Sequence, residues 1–237
     1  MLNFLYSPQR FVVLFEGRTG STYLIESLNS CSYIRAEGEI LVDSRDLDWS
    51  AQKKKIYQSF RGSFLRQPRA VGFKTKLRDI TEPVAFSDLL QSLDVKLIFL
   101  KRRNRIKTVV SMFRSRLLKE KVGDYNARSE ARSLGKLPLD PDKFDELLKM
   151  REVLDDKLEE FVDMLGLPTL EVFYEELLAD ETYFFQRIYE FLGVPYAKGR
   201  GETVKNTSDD LRESVENYEE LKSRYAGTPY EAQFGTD

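Results

Sequence analysis

A fully apolar strand that runs into a glycine turn and then into a helix is the feature that most constrains the fold. Residues 11–15 read Phe-Val-Val-Leu-Phe, and residues 16–20 form a polar turn with two glycines. An amphipathic helix follows over residues 21–28, with its apolar face formed by Leu24, Ile25 and Leu28. Continuous apolar strands are typical of parallel sheets buried on both faces, so this unit predicts an α/β fold.

Further strands alternate with helices along the chain. The predicted strands cover residues 33–36, 70–73, 95–100 and 169–174, and the predicted helices cover residues 46–64, 86–93, 106–118, 141–165 and 183–192. A chain of 237 residues, 41% hydrophobic, can bury one sizeable core. We therefore predict a single three-layer domain over residues 1–237, in which helices flank about five mainly parallel strands.

Two absences in the composition limit the chemistry. The chain has no histidine, and Cys31 is its one cysteine. Catalytic triads built on histidine and zinc sites built from histidine and cysteine are thereby excluded, and so is a disulfide framework. We expect no metal, and any general base must be a carboxylate.

Charge and hydropathy limit the partners. The net charge is −2 and the isoelectric point is about 5.6, which argues against a protein whose whole surface binds nucleic acid, so any basic function must be local. The first ten residues do not resemble a signal peptide, and no apolar run reaches the roughly 18 residues of a membrane span. The simplest expectation is a cytoplasmic protein with a small-molecule partner. No motif indicates the oligomeric state.

The glycine turn has the chemistry of an anion site. A turn that leads into a helix presents free backbone N–H groups at the positive end of the helix dipole. Arg18 adds a positive charge, and Ser21 and Thr22 add hydroxyl donors. The phosphate loop of nucleotide triphosphatases would need a lysine where Gly20 stands, which weakens a kinase interpretation. The sequence favours anion binding over a purely structural turn.

A second group of candidates follows the strand at residues 95–100. Residues 101–107 are rich in lysine and arginine, and Arg103 lies eight residues before Ser111. Ligands bind outside the carboxyl ends of parallel strands, so this cluster is expected on the same sheet edge as the glycine turn. Taken as a charge run alone, it is more typical of a solvated helix face or an RNA-binding patch.

Together these motifs resemble the sulfotransferases that use 3′-phosphoadenosine 5′-phosphosulfate (PAPS). Residues 18–22 resemble their 5′-phosphosulfate loop, and Arg103 with Ser111 resembles their 3′-phosphate motif. Residues 174–177 are similar to a Tyr-Glu-x-Leu element of the family, and residues 204–221 resemble its C-terminal tail. Four motifs in the expected order make the resemblance fairly specific.

The resemblance implies the donor and its contacts. It implies PAPS as the sulfonate donor and the bisphosphate PAP as product. The donor's 5′ side would be bound by Arg18, Thr19, Gly20, Ser21 and Thr22, and its 3′-phosphate by Arg103, Ser111 and Lys205. Arg18 would also act in catalysis, by neutralising the leaving phosphate. The segment 198–237 would close on the nucleotide.

The resemblance also implies a glutamate base. Phenol and steroid sulfotransferases use a histidine, which this chain lacks, so the analogy shifts to members that use glutamate and act on carbohydrates, glycolipids or other small hydroxylated acceptors. Glu39 fits the placing of that base, with Glu37 as a rival; the alternative is that both are surface residues on a loop. Acceptor contacts are expected from Glu37, Lys74 and Trp49, each with a structural alternative: a strand-end lysine in water for Lys74, core packing for Trp49.

Two features remain open at the level of sequence. Arg105 replaces the proline that usually follows Arg-Asn in the family. Residues 121–139 lack an apolar period and are expected to form a mobile loop, either a lid or a surface excursion.

Two alternative functions remain beside a sulfotransferase. One is a nucleotide-dependent kinase on a related core. The other is an RNA-binding module that uses the basic cluster at residues 101–116.

Overall fold

Within the part of the chain that the structure describes, one sheet of five parallel strands organises the protein. The computed structural model describes residues 7–61, 68–122, 134–198 and 210–235. The strands are β1 (Gln9–Phe15), β2 (Ile34–Glu39), β3 (Ala70–Thr75), β4 (Lys96–Lys101) and β5 (Thr169–Phe173). They lie in the order β2-β3-β1-β4-β5, and every neighbouring pair is parallel. The predicted α/β class and strand number are confirmed.

Helices fill the connections. They are α1 (Ser21–Asn29), α2 (Trp49–Ser59), α3 (Pro83–Ser92), α4 (Arg105–Val122), α5 (Pro141–Leu165), α6 (Tyr174–Ala179), α7 (Glu181–Leu192) and α8 (Tyr218–Arg224). The bounds of α5 are those predicted. The predicted helix at residues 46–64 is shorter in the structure, because the Asp48 side chain accepts the N–H of Ala51 and starts the helix after itself. Residues 62–64 lie outside the described part.

Each face of the sheet carries its own core. Helices α1 and α7 pack on one face, where Leu24, Phe184 and Ile188 are buried with Phe11 of β1. Helices α2 and α3 and the C-terminal part of α5 cover the other face, around Phe73 and Phe86. Because both faces are covered, β1 is apolar at every position from Phe11 to Phe15, as its sequence indicated.

The chain divides into two compact units. The first contains the described residues up to Lys101 together with residues 157–198, and the second contains residues 102–156 and 210–235. The second unit has a core of its own, formed by α4, α8 and the N-terminal part of α5, with Phe144 fully buried against the rings of Phe113 and Tyr225. The single domain over residues 1–237 stays a prediction.

The expected mobile loop at residues 121–139 is partly ordered. Helix α4 continues to Val122, and residues 123–133 lie outside the described part. From residue 134 onwards the segment is fixed within the second unit: Leu137 pairs with Val215, and Arg114 donates to the carbonyls of Leu134 and Gly135. For residues 134–139 the prediction of a mobile loop is wrong, because backbone pairing holds them in place. Within the described residues, no helix is long and apolar enough to cross a membrane.

Candidate anion-binding and catalytic site

The glycine loop (residues 16–22) joins β1 to α1 and is sharply turned. Arg18 and Gly20 both have left-handed backbones, with φ of 68° and 81°. The turn is closed by Thr19, whose hydroxyl donates to the carbonyl of Glu16 at 2.9 Å. A Cβ on Gly20 would lie 2.7 Å from the ring of Tyr174, so only glycine fits both the φ and the space at position 20.

The same glycine opens the N-terminus of α1. Gly20 is the N-cap residue and has no side chain, so no cap side chain accepts the N–H groups of the first turn. Ser21 is buried and Thr22 half-buried at the start of this helix. Backbone N–H groups and the helix dipole favour an anion at this end of the helix, so the anion site stays a prediction that this geometry suits.

Lys74 reaches the glycine loop from β3. Its ammonium donates to the hydroxyls of Ser21 at 3.2 Å and Thr22 at 3.1 Å. It lies over the ring of Phe15 at 5.2 Å, and the residue is only 5% exposed. Burial lowers the pKa of Lys74 to about 8, although the attraction of Glu39 opposes the shift. The alternative of a strand-end lysine in water is therefore wrong.

A β-bulge in β2 separates the two candidate bases. Glu37 is in register with Phe73, but Glu39 rather than Gly38 is in register with Lys74, so the strand has one extra residue at Gly38. In-register residues of parallel strands share a face, and Phe73 and Lys74 lie on opposite faces. Glu39 thus lies on the face of Lys74, and Glu37 lies on the other, where it pairs with Arg35 at 3.9 Å.

Two lysines surround the Glu39 carboxylate. Lys76 hydrogen-bonds Oε2, and the ammonium of Lys74 lies 3.7 Å from Oε1. Burial alone would raise the pKa of Glu39, but the hydrogen bond from Lys76 and the positive charges of Lys76, Lys74 and Arg78 lower it below its ordinary value. Glu39 is therefore ionised at neutral pH. The expectation that it lies on a surface loop is wrong, since it ends β2 with its side chain 28% exposed.

In the second unit, the candidates for the 3′-phosphate lie at the start of α4. Asn104 caps this helix: its side chain accepts the N–H of Lys107 at 2.8 Å and donates to the carbonyl of Gln233 at 2.9 Å. Arg103 precedes the cap and is exposed, and Ser111 is buried two turns later. At position 105 the backbone N–H that a proline would lack donates to the Gln233 side chain at 2.7 Å.

Most of the basic cluster is neutralised or buried. Lys101 pairs with Glu159 and Glu171, and Arg105 pairs with Asp155. Lys107 and Arg114 are at most 5% exposed, and Arg114 donates to backbone carbonyls. These contacts disfavour an RNA-binding patch, since the positive charges do not form a free surface.

Two further residues predicted from the sequence, Trp49 and Lys205, and one surface groove remain to be placed. Trp49 is half-buried and packs edge-on against Phe86, at the border of the core beside α3. A groove of about 570 Å³ lies at the opposite end of the strands from the glycine loop, and it is lined by Arg10, Lys53, Lys54, Tyr57, Gln58, Phe60, Arg61 and Leu93. Lys205 lies outside the described residues. Within them, no group of three His, Cys, Asp or Glu side chains could hold a metal ion.

Sequence reasoning missed Lys76. It is 7% exposed and contacts Glu39. The one available signal in the sequence was its spacing of two residues from Lys74 at the end of the predicted strand, because side chains two residues apart on a strand lie on one face of the sheet.

Comparisons with known proteins agree with the fold. No protein-family model matches the chain. It is 26% identical to Nodulation protein H of Rhizobium tropici over 249 residues, covering 100% of this chain and 97% of that protein. It is 25% identical to Nodulation protein H of Rhizobium meliloti (strain 1021), covering 94% of each. The structure is similar to the crystal structure of a sulfotransferase from Alicyclobacillus acidocaldarius, with a TM-score of 0.52 and 18% identity over 96% of this chain and 94% of that one. The predicted fold is thereby confirmed.

Proposed function

We propose that this chain, a sulfotransferase, moves a sulfonate group from PAPS to an acceptor hydroxyl, with Glu39 as the general base. The observation that carries the proposal is the position of Lys74, whose ammonium hydrogen-bonds Ser21 and Thr22 and also pairs with Glu39. The anion-binding loop and the carboxylate base are thus held within reach of one side chain. An in-line transfer needs both beside the reacting sulfur.

The residues of the glycine loop suit the 5′ end of the donor. PAPS supplies an activated sulfonate on a phosphate. The N–H groups that begin α1, the charge of Arg18 and the ammonium of Lys74 would hold that phosphate and stabilise the charge that develops on it. Removal of one such preorganised donor costs on the order of 10²–10³ in rate in other enzymes.

Glu39 would activate the acceptor. Its carboxylate takes the proton of the acceptor hydroxyl while the hydroxyl oxygen forms a bond to sulfur and the bond from sulfur to the phosphate oxygen breaks. PAP leaves with the electron pair of that bond. A positioned base contributes about 10²–10⁴-fold, and the lowered pKa of Glu39 keeps it ionised and ready at neutral pH.

The 3′-phosphate is assigned to Arg103, Ser111 and Lys205. This assignment rests on the resemblance of their spacing to the 3′-phosphate motif, and Arg103 is exposed at the start of α4, as such a contact requires. Carbohydrates, glycolipids and other small hydroxylated compounds are the proposed acceptors. The absence of histidine supports them, because it directs the resemblance to members that use glutamate. We further propose a cytoplasmic location.

Calorimetric titration with PAP, AMP and Mg·ATP tests the donor. Binding of PAP that depends on the 3′-phosphate and weakens at least tenfold in Arg103→Ala is expected. The matched control is Arg116→Ala, which removes an exposed arginine further along α4 and should bind PAP as wild type does. Preference for Mg·ATP, or equal binding of AMP and PAP, would overturn the proposal in favour of a kinase.

A further inference from the structure

Lys76 is a buried lysine whose ammonium is committed to one carboxylate. It directly follows β3 and is 7% exposed. Its ammonium hydrogen-bonds Glu39 and lies 4.9 Å above the ring of Phe15. Within the described part of the chain, Glu39 is its one ion-pair partner. A buried ammonium is costly unless it is paired, so this contact satisfies the lysine as well as the glutamate.

The ammonium groups of the two lysines beside Glu39 make different contacts. Lys74 donates hydrogen bonds to the glycine loop at 3.1 and 3.2 Å and forms an ion pair with Glu39 at 3.7 Å. Lys76 contacts the other carboxylate oxygen, Oε2, and does not share its ammonium with the loop. Both ammonium groups lie over the ring of Phe15, whose face attracts cations and limits their positions.

Among the described residues, the charged groups that shift the pKa of Glu39 are Lys76, Lys74 and Arg78, and all three are positive. From α2, Lys55 donates to the carbonyl of the adjacent Ile40 at 3.3 Å. Glu37 is the nearest acid along β2, but the bulge puts it on the opposite face of the sheet. The surroundings therefore favour an ionised carboxylate at this position. Lys74 is shared, since it also donates to Ser21 and Thr22 and is attracted by Glu26.

We propose that Lys76 is a positioning residue, which holds the Glu39 carboxylate ionised and in a single orientation by binding Oε2. Oε1 then remains the oxygen that faces Lys74, and it takes the proton of the substrate hydroxyl. The inference rests on the proposed role of Glu39 as base. After transfer, the proton that Glu39 has taken is released readily to water, because the ion pair with Lys76 favours the ionised form and so resets the base.

Carbon-13 NMR of labelled glutamate side chains tests the inference without any acceptor. Glu39→Gln assigns the Glu39 signal. In Lys76→Met the titration midpoint of Glu39 should rise by about one pH unit or more, since an opposite charge in contact shifts a carboxyl by roughly 1–3 units. Lys76→Arg should restore the wild-type midpoint. Lys53→Met, which removes an exposed lysine of α2, is the matched control and should leave the midpoint unchanged.

A second measurement covers the case in which Lys76→Met does not fold. In wild-type protein the nitrogen-15 signal of the Lys76 ammonium should move with the same midpoint as the Glu39 carboxyl. An unchanged Glu39 midpoint in folded Lys76→Met, or a Lys76 signal that ignores the titration of Glu39, overturns the inference.

The proposed role of Glu39 as base can be disproved independently of the proposed role of Lys76. If Glu39→Gln keeps wild-type turnover of PAPS with a panel of oligosaccharide and glycolipid acceptors, Glu39 is not the base, whatever its titration shows. If Glu39→Gln is impaired, Lys76→Met in that background should add no further loss of turnover, because Lys76 acts only through Glu39. A full additional loss would mean that Lys76 acts by another route.

Discussion

Lys74 is the residue on which the two chemical parts of the site depend. Its ammonium is within hydrogen-bonding distance of two hydroxyls of the glycine loop and 3.7 Å from the glutamate. Burial lowers the pKa of Lys74 to about 8, so the ammonium is deprotonated and the site loses a positive charge at mildly alkaline pH. That loss should be visible in the binding of any anion at the loop.

The affinity for PAP should fall as the pH rises above about 8, the pKa of Lys74. Lysine is charged below its pKa and neutral above it, and one linked proton limits the fall to about tenfold per pH unit. Calorimetry from pH 7 to 9.5 measures it. Lys74→Arg should flatten the profile, because arginine stays charged throughout. A flat wild-type profile contradicts this.

The lowered pKa of Lys74 also makes folding stability depend on pH, but in the direction opposite to that of PAP affinity. Between pH 8 and the ordinary lysine value of 10.5, the unfolded chain binds more protons at Lys74 than the folded chain. The contribution of Lys74 to folding stability therefore improves as the pH rises through this window.

Glu39 and Glu37 form a matched pair for testing the base. Glu39→Gln should lower turnover of PAPS by about 10²-fold or more while leaving PAP affinity nearly unchanged, since it removes the proton acceptor and keeps the shape. Glu37→Gln should behave as wild type, because the bulge at Gly38 leaves Glu37 on the other face, beside Arg35. Steady-state kinetics decides between them, and equal losses in both variants would contradict the assignment.

At the scale of elements, the Asn104 cap fixes the start of α4, the helix that carries Ser111. Asn104→Ala should destabilise the protein by about 1–2 kcal/mol, because it leaves the Lys107 N–H without its acceptor. Asn104→Asp keeps this acceptor and loses the donor to Gln233, so it should cost less. Urea denaturation compares the two variants, and an Asp variant as unstable as the Ala variant would show that the contact to Gln233 dominates.

The elements themselves could largely be predicted from the sequence, because apolar periodicity and helix breakers act locally. The ends of α5 follow from its apolar spacing and from Gly166 and Pro168. The bulge at Gly38 could not be predicted, since the register of β2 is set by β3, about 35 residues away in the chain. For the same reason the ion pairs of Lys101 with Glu159 and Glu171 could not be predicted, and from the sequence alone the charge of Lys101 was counted as available to a ligand.

At the scale of the whole molecule, the protein has one core on each face of the sheet and a third in the second unit. Phe144→Ala empties a fully buried site in that third core and should cost about 3–5 kcal/mol. Hydrogen exchange should quicken most in residues 141–156 and 210–235 and least in β1 and β3. A uniform increase over all described residues would mean that the units unfold together.

The left-handed backbone of Arg18 has a consequence for the evolution and engineering of this protein. A non-glycine residue in that conformation costs about 1–2 kcal/mol, which glycine at the same position would avoid. A screen that rewards thermal resistance alone would therefore favour Arg18→Gly and discard the charge that we propose to act in transfer. Under that proposed role, selection for stability and selection for turnover favour different residues at position 18, and the chain has the arginine that turnover would require.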